Sequence, residues 1–355
     1  MFAFVIQRLL QALVVMLVIS ALVFTGVYAV GNPIDVMISP DATQQIREQA
    51  IRAYGFDQPL WRQYFTFLKR LAEGDFGRSF VYNTPVLGLI LSRLPATLEI
   101  TLAAVISATL IGIPLGMYAG YRPDSLVSKT IMAVSVLGAT LLGVPLGMVA
   151  GYAPDSKVSK TIMAVSVLGF SVPTFWIGLL LIFTFAVNLG VLPAGGRGDT
   201  VNLMGVDWSF FTANGLKHML LPSVNLALFK LALMIRLARA GTREVMLTDM
   251  VRFARAAGES EWTILRRHVL RLIAIPLVTV FGLEFGSTLA FAVVTETIFS
   301  WPGVGKLVID SISTLDRPVM VAYLMLVSLL FITINMTVDI AYVALDPRLR
   351  ARKTT

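Results

Sequence analysis

Six apolar runs, each close to the length that a bilayer core demands, constrain this chain more than any other feature: residues 9–30, 96–118, 161–189, 219–237, 272–295 and 319–345. Hydrocarbon offers no partner to a backbone N–H or C=O, so each crossing must satisfy its own hydrogen bonds, and about 20 apolar residues of helix span it. The expected fold is therefore all-α, a polytopic membrane helical bundle of six core transmembrane helices plus one extra duplicated apolar segment. Composition agrees, since 56% hydrophobic and 14% charged residues leave too little polar surface to cover a soluble globule. Six crossings return both ends of the chain to one side. The first run is longer than the apolar stretch of about 7–15 residues in a secretory signal and reads as a retained anchor.

The formal charge of +8 is concentrated at two places: eight arginines within residues 236–271, and Arg348, Arg350, Arg352 and Lys353 in the tail. Basic residues beside apolar spans mark the cytoplasmic side. With Arg8 ahead of the first span, both termini are expected to be cytoplasmic. Acidic lipid headgroups account for the high pI better than nucleic acid, which is not expected as a partner. The chain has no cysteine, which excludes disulfides and thiolate metal sites.

The chain divides into an N-terminal transmembrane helix (1–31), an external cap (32–93), a core of the remaining spans (94–345) with a connecting loop at 238–271, and a cytoplasmic tail (346–355). In the cap, a helix begins after Ser39-Pro-Asp-Ala-Thr and breaks at Gly55-Phe-Asp-Gln-Pro59. A second helix follows over 59–72, with Leu60, Trp61, Tyr64, Phe65, Leu68 and Leu71 along one side as a packing stripe.

Within the core, residues 108–138 recur as 139–169 with differences only at 111/142, 113/144, 118/149, 122/153 and 126/157. One local copy is not a solenoid, which needs three or more units. Each copy holds the end of one span, a turn, and the start of the next, so the event inserts one apolar segment, 130–152. Were that segment to cross, everything after it would invert. Arg122 and Lys129 in one turn, and Lys157 and Lys160 in the other, favour the same side. The segment is read as entering and leaving on one face, with Gly138, Gly143 and Pro145 as breaks, or as lying on the membrane surface.

The arginine-rich loop reads as helix, glycine break, helix. Its arginines can serve topology alone. Alternatively it is a docking element, with Ala254, Ala256 and Gly258 small enough for close approach and Arg252 and Arg255 able to reach a partner's carboxylates. Ionisable groups inside spans are functional candidates. Lys230 and Glu284 lie at comparable depth in successive spans and can pair, either lining a path or fixing packing register. Asn335 and Asp339, four residues apart and followed by Tyr342, form a polar stripe suited to interhelical hydrogen bonds or to a translocation path. Glu296 sits before the Trp301-Pro-Gly-Val-Gly turn, in a capped outer loop or a gate. Gly303-Val-Gly-Lys306 lacks the upstream glycine and following Ser or Thr of a phosphate loop, and His218 and His268 alone make no zinc site. No catalytic residue, cofactor or metal is expected on this chain.

Nearly end to end, the chain resembles the integral-membrane subunit of bacterial ABC importers for dipeptides, oligopeptides and nickel, of the dipeptide permease B type. The resemblance is carried by Gln7-Arg-Leu-Leu, Gly55-Phe-Asp-Gln-Pro-Leu-Trp, Gly74-Asp-Phe-Gly-Arg-Ser, Arg93-Leu-Pro-Ala-Thr-Leu-Glu, Ser171-Val-Pro-Thr-Phe-Trp and Leu192-Pro-Ala-Gly-Gly. It continues through Ala254-Arg-Ala-Ala-Gly, Glu296-Thr-Ile-Phe-Ser-Trp-Pro-Gly-Val-Gly, Asn335 with Asp339, and Asp346-Pro-Arg.

The resemblance implies that Arg252, Ala254, Arg255, Ala256 and Gly258 belong to a coupling loop docking into an ATPase subunit. Arg252 and Phe253 stand where Glu and Ala are frequent in importers generally, and the duplication departs from the six-span plan. The implied partners are a second homologous permease, two cytoplasmic ATPase subunits carrying ATP and Mg, a periplasmic or extracellular solute-binding protein, and membrane lipid, all at the bacterial inner membrane. The expected function is import of di- or oligopeptides by a non-enzymatic subunit. The alternatives are nickel or another small solute, or a non-ABC secondary transporter.

Overall fold

The computed structural model describes residues 2–29, 43–54, 57–137 and 173–345. The second repeat copy, most of the extra segment 130–152, the first part of the 161–189 run and the tail 346–355 lie outside the described residues. Five helices are long and apolar enough to cross a membrane: α1 (Phe2–Ala29), α4 (Val86–Tyr121), α7 (Ala213–Met246), α9 (Glu261–Phe291) and α12 (Arg317–Leu345). A sixth apolar stretch is shorter as described, α6 (Thr174–Leu181) with a π-helical turn Ile182–Asn188. Around these lie α2 (Gln44–Tyr54), α3 (Leu60–Ala72), α5 (Leu126–Leu137), α8 (Asp249–Ala256), α10 (Val293–Ile298) and α11 (Val304–Ser313). A short antiparallel hairpin, β1 (Val201–Leu203) and β2 (Val206–Trp208), pairs Val201 with Trp208. The molecule is thus helical, as expected, with a small hairpin that the sequence reading did not contain.

The chain forms two compact units. One comprises Met1–Thr97 and Pro302–Thr333; the other comprises Leu98–Trp301 and Ile334–Thr355.

In the first unit, the Gly74-Asp-Phe-Gly-Arg-Ser motif is a folded turn. Gly74 and Gly77 have φ of 76° and 80°, where a side chain would be strained, and Asp75 accepts the Gly77 N–H at 2.9 Å. The turn is fastened to Asp316, whose fully buried carboxylate accepts from the Ser79 hydroxyl and from the backbone of Phe80 at 3.2 Å and Val81 at 3.4 Å. Three donors satisfy a charge that burial alone would penalise.

α3 packs on α1 through Tyr64 and Phe67, whose rings lie 5.3 and 5.8 Å from that of Phe24. The expected packing stripe is therefore only partly a packing stripe. Tyr64, Leu68 and Leu71 are half-buried, whereas Leu60, Trp61 and Phe65 point outward, because α1 covers one edge of the apolar arc and no other described element covers the rest.

In the second unit, α4 meets α7 along glycines. A Cβ on Gly112, Gly116 or Gly120 would fall 2.7 Å from the Cβ of Met234, Ala238 or Thr242, respectively. Four-residue spacing of glycines on one helix face is how membrane helices approach closely. α7 and α9 run together with Gly241 against Ile273, and α9 meets α12 where Gly282 receives the Val338 side chain. Pro222, buried, and Pro276, exposed, lie inside α7 and α9.

Candidate functional site

The connection between α7 and α9 is the arginine-bearing segment. α7 ends at Met246; Thr248 precedes the two-turn α8; Gly258, at φ +82°, breaks it. Ser260 then caps α9, accepting the Thr263 N–H at 3.3 Å. The expected helix, glycine break, helix is present.

Its faces are assigned by helical phase. Val251 and Ala254, three apart, turn inward at 0% and 5% exposure and join a core with Val245, Ile264, Val269 and Ile273. Met250 and Phe253, also three apart, turn outward. Phe253 at 77% and Trp262 at 71% exposure, together with Leu247 and Met250, make an apolar surface beside arginines. Arg243, Arg252, Arg255, Arg266, Arg267 and Arg271 are exposed, while Arg236 and Arg239 are half-buried in α7.

Two expected roles change accordingly. Ala254 offers no small surface to an outside partner, because it is packed inside its own chain. Arg255 is already engaged, donating to both carboxylate oxygens of Glu261 at 2.7 and 3.2 Å, and that hydrogen bond holds its pKa above the ordinary arginine value. Arg252 pairs with its neighbour Asp249 at 3.1 Å, with both side chains largely exposed, and Ala256 and Gly258 are exposed. The sequence reading missed Leu247, Met250, Phe253 and Trp262. Their signal was available, since Met250 and Phe253 share a helix face that Val251 and Ala254 do not.

Inside the spans, the structure brings Lys230 of α7 to Glu284 of α9, Nζ to Oε2 at 2.8 Å, with side chains 15% and 24% exposed. The pairing register is consistent: Gly241 faces Ile273 eleven residues (241 − 230 and 284 − 273) from each partner. Asn335 and Asp339 are half-buried on α12, flanking Val338, which closes on Gly282; the Tyr342 side chain lies outside the described residues.

Glu296 is fully buried, and its carbonyl accepts the Trp301 N–H at 2.8 Å in the turn that follows α10. That turn meets a second motif, for the Gly196 N–H donates to the Phe299 carbonyl at 2.9 Å. His218 Nδ1 faces the Asn214 carbonyl at 2.9 Å, and His268 Nε2 faces Glu259 at 2.8 Å. Among the described residues no three His, Cys, Asp or Glu side chains converge as a metal site requires.

A further ion pair was not anticipated. Glu99 of α4 is fully buried; its carboxylate accepts from Arg197 Nε and Nη2, each at 3.0 Å, and from the Ser209 backbone N–H. Arg197 also donates to Ser209 Oγ at 3.0 Å and to the Asp207 carbonyl. The loop before α7 is thus closed on itself.

Two family profiles match the chain. Residues 143–351, more than half of it, match the binding-protein-dependent transport system inner membrane component, and residues 1–101 match the N-terminal part of such membrane components. The first match begins inside the second repeat copy at Gly143, the sequence counterpart of Gly112. Near-identical copies satisfy the same pattern.

The chain is 35% identical over 351 residues to the oligopeptide transport system permease protein AppB of Bacillus subtilis, covering 98% of this chain and 99% of that one. It is 34% identical over 367 residues to the di/tripeptide transport system permease protein DppB of Pseudomonas aeruginosa, covering 99% and 100%. It is also 34% identical over 351 residues to the glutathione transport system permease protein GsiC of Escherichia coli K12, covering 99% of each.

Proposed function

The chain belongs to the family of binding-protein-dependent transport system inner membrane components, and from that premise we propose that it is the membrane-spanning permease of an ATP-driven importer of di- or oligopeptides. Each relative named above carries a peptide or peptide-like solute in its name, and each aligns over almost its whole length. The observation that carries the reading is the outward face of the α7–α9 connection. Phe253, Trp262, Met250 and Leu247 are all exposed on a segment that also carries the exposed Arg243, Arg252, Arg255, Arg266 and Arg267, the composition of a partner-binding surface with aromatic anchors and charged neighbours.

In this reading the connection docks on one of two cytoplasmic ATPase subunits, which bind ATP and Mg; this chain supplies no catalytic group. It works beside a second, homologous permease, with both termini cytoplasmic in the inner membrane and a solute-binding protein delivering substrate from outside. Closure of the ATPase pair pushes α8, and α7 and α9 carry that displacement into the bundle. Their close contacts at Gly241 and Gly282 favour rigid-body rocking that opens the cavity to either side in turn.

The test is copurification of the ATPase subunits with the full membrane complex, alongside uptake of a labelled tripeptide by cells. Phe253→Asp with Trp262→Asp is expected to abolish both while the permease still accumulates in the membrane. Undiminished association would remove this face as the coupling surface. A tag inserted at Ser260 should be reachable only after the membrane is opened.

A further inference from the structure

We infer that α3 is a membrane-interfacial helix, whose Leu60, Trp61 and Phe65 face is seated at the headgroup–acyl boundary of the bilayer and not in the water above it. The inference is independent of what the permease transports.

Depth is the first support. The Tyr64 hydroxyl lies 2.8 Å from Ser20 Oγ and donates to the Leu17 carbonyl at 3.3 Å. Both partners belong to the apolar span of α1, Ile6–Gly26. Ser20 lies well inside the apolar run of residues 9–30, so a side chain of α3 that bonds to it reaches into the apolar layer. Amphipathic helices that lie on membranes sink their apolar face about 5–10 Å into the boundary region. A helix hydrogen-bonded to α1 at that level is inside the interface.

The second support is the distribution of side chains around α3. Tyr64, Phe67 and Leu71 form the edge against α1, Trp61 and Phe65 continue the same apolar arc outward, and Leu60 is exposed at the first position of the helix, the three being 60–62% exposed. Arg62, Thr66, Lys69 and Arg70 occupy the opposite side. Arg62 arches over the Trp61 ring at 5.7 Å and donates to Gln58 at 2.9 Å, and the long stems of Lys69 and Arg70 can carry their charges to the headgroups.

Continuity is the third support. Only 11% of the α1 span is buried, and Leu13 and Leu17, which share the helix side of Ser20, are exposed. The lipid that must cover them reaches the α3 arc beside them. Tryptophan and tyrosine at such a boundary are the usual membrane anchors. A protein occupant would have to displace this lipid at the depth of Ser20.

The chain has no cysteine, so single labels need no background removal. Trp61→Cys, Phe65→Cys, Thr66→Cys and Lys69→Cys variants of the full chain would each carry a nitroxide. They would be reconstituted in vesicles of phosphatidylethanolamine and phosphatidylglycerol and relaxed by oxygen or by a water-soluble nickel chelate. Oxygen is expected to dominate several-fold at 61 and 65, and nickel at 66 and 69, with no change when the external solute-binding protein is added. Nickel dominance at 61 and 65 would overturn the inference in favour of a water-facing cap. Shielding of 61 and 65 from both reagents, with or without the added protein, would overturn it in favour of a protein contact. All four substituted side chains are exposed, so loss of folding is not expected to confuse the result.

Discussion

The loops at the two ends of α7 carry comparable charge and use it in opposite ways. Before α7, Arg197 is spent internally: Glu99, Ser209 and Asp207 consume its donors, and Glu99 is fully covered. After α7, Arg252 stays largely exposed and Phe253 and Trp262 stand in solvent. The buried Glu99–Arg197 contact fixes the shape of the loop before α7, even though Met204 and Phe211 of that loop stay exposed. Burial left undone, with large apolar groups beside fixed cations, identifies a loop whose environment is another molecule.

The contrast is broken most severely at Glu99. Glu99→Gln leaves Arg197 charged, 13% exposed and without its carboxylate. Stranding one member of a buried ion pair costs about 3–5 kcal/mol. We expect a marked fall in the thermal midpoint of the detergent-solubilised chain, partly recovered in Glu99→Gln/Arg197→Met. An unchanged midpoint for the single variant would mean that the loop is not closed by this pair.

At the other loop the ranking of stability and association should invert. Phe253 is 77% exposed, so Phe253→Asp should move unfolding by no more than about 0.5 kcal/mol, as exposed substitutions generally do. Removal of an aromatic anchor from an interface typically costs at least about 2 kcal/mol of binding, roughly a thirtyfold loss of ATPase affinity at 25 °C. Titration of purified ATPase subunits against wild-type and variant complexes reads both quantities separately.

Between the two loops, α7 is held by the α4 glycines. Gly116→Val would drive a side chain into Ala238 and the Ile235 carbonyl. Overpacking of this kind costs about 1–3 kcal/mol. The expected result is a lower thermal midpoint, smaller than that of Glu99→Gln, with ATPase affinity retained in the protein that folds.

Spans and the connecting loop were legible because each depends on local pattern: apolar length for α1, α4, α7, α9 and α12, and clustered arginines beside a glycine for the loop. Lys230 and Glu284 were legible too, since equal depth in successive spans predicts proximity. The Glu99–Arg197 pair was not, although both residues lie within or beside recognised motifs, because sequence spacing carries no signal for partners 98 residues apart. The same holds for Ser79 with Asp316. The Gly112, Gly116 and Gly120 stripe was within reach, as its four-residue spacing is the pattern of close helix approach. On α3, apolar residues were read as a packing stripe without asking whether any element existed to cover them, and on α8 the small residues were read as outward-facing while Met250 and Phe253 were passed over. Phe65 and Phe253 show that helical phase settles a residue's side only when the covering neighbour is known.

The smallest expected effect separates two arginines that sequence placed in one role. Arg255 is held by Glu261 through two hydrogen bonds, yet both side chains are about two-fifths exposed, at 43% and 40%. Water and salt screen such a pair, so Arg255→Ala should cost no more than about 1 kcal/mol of stability. The pairing raises the folded-state pKa of Arg255. A raised value contributes fully below the unfolded-state pKa and is lost only as pH climbs through the folded-state one, so this arginine gives stability no slope across the neutral range. Arg252, with an adjacent exposed aspartate to leave, is free to pair across an interface. Arg252→Ala should therefore weaken ATPase association more than Arg255→Ala and should reduce its dependence on salt. Equal losses from the two substitutions would show that the partner competes Arg255 away from Glu261, and the face committed to docking would then extend past Gly258 to the start of α9.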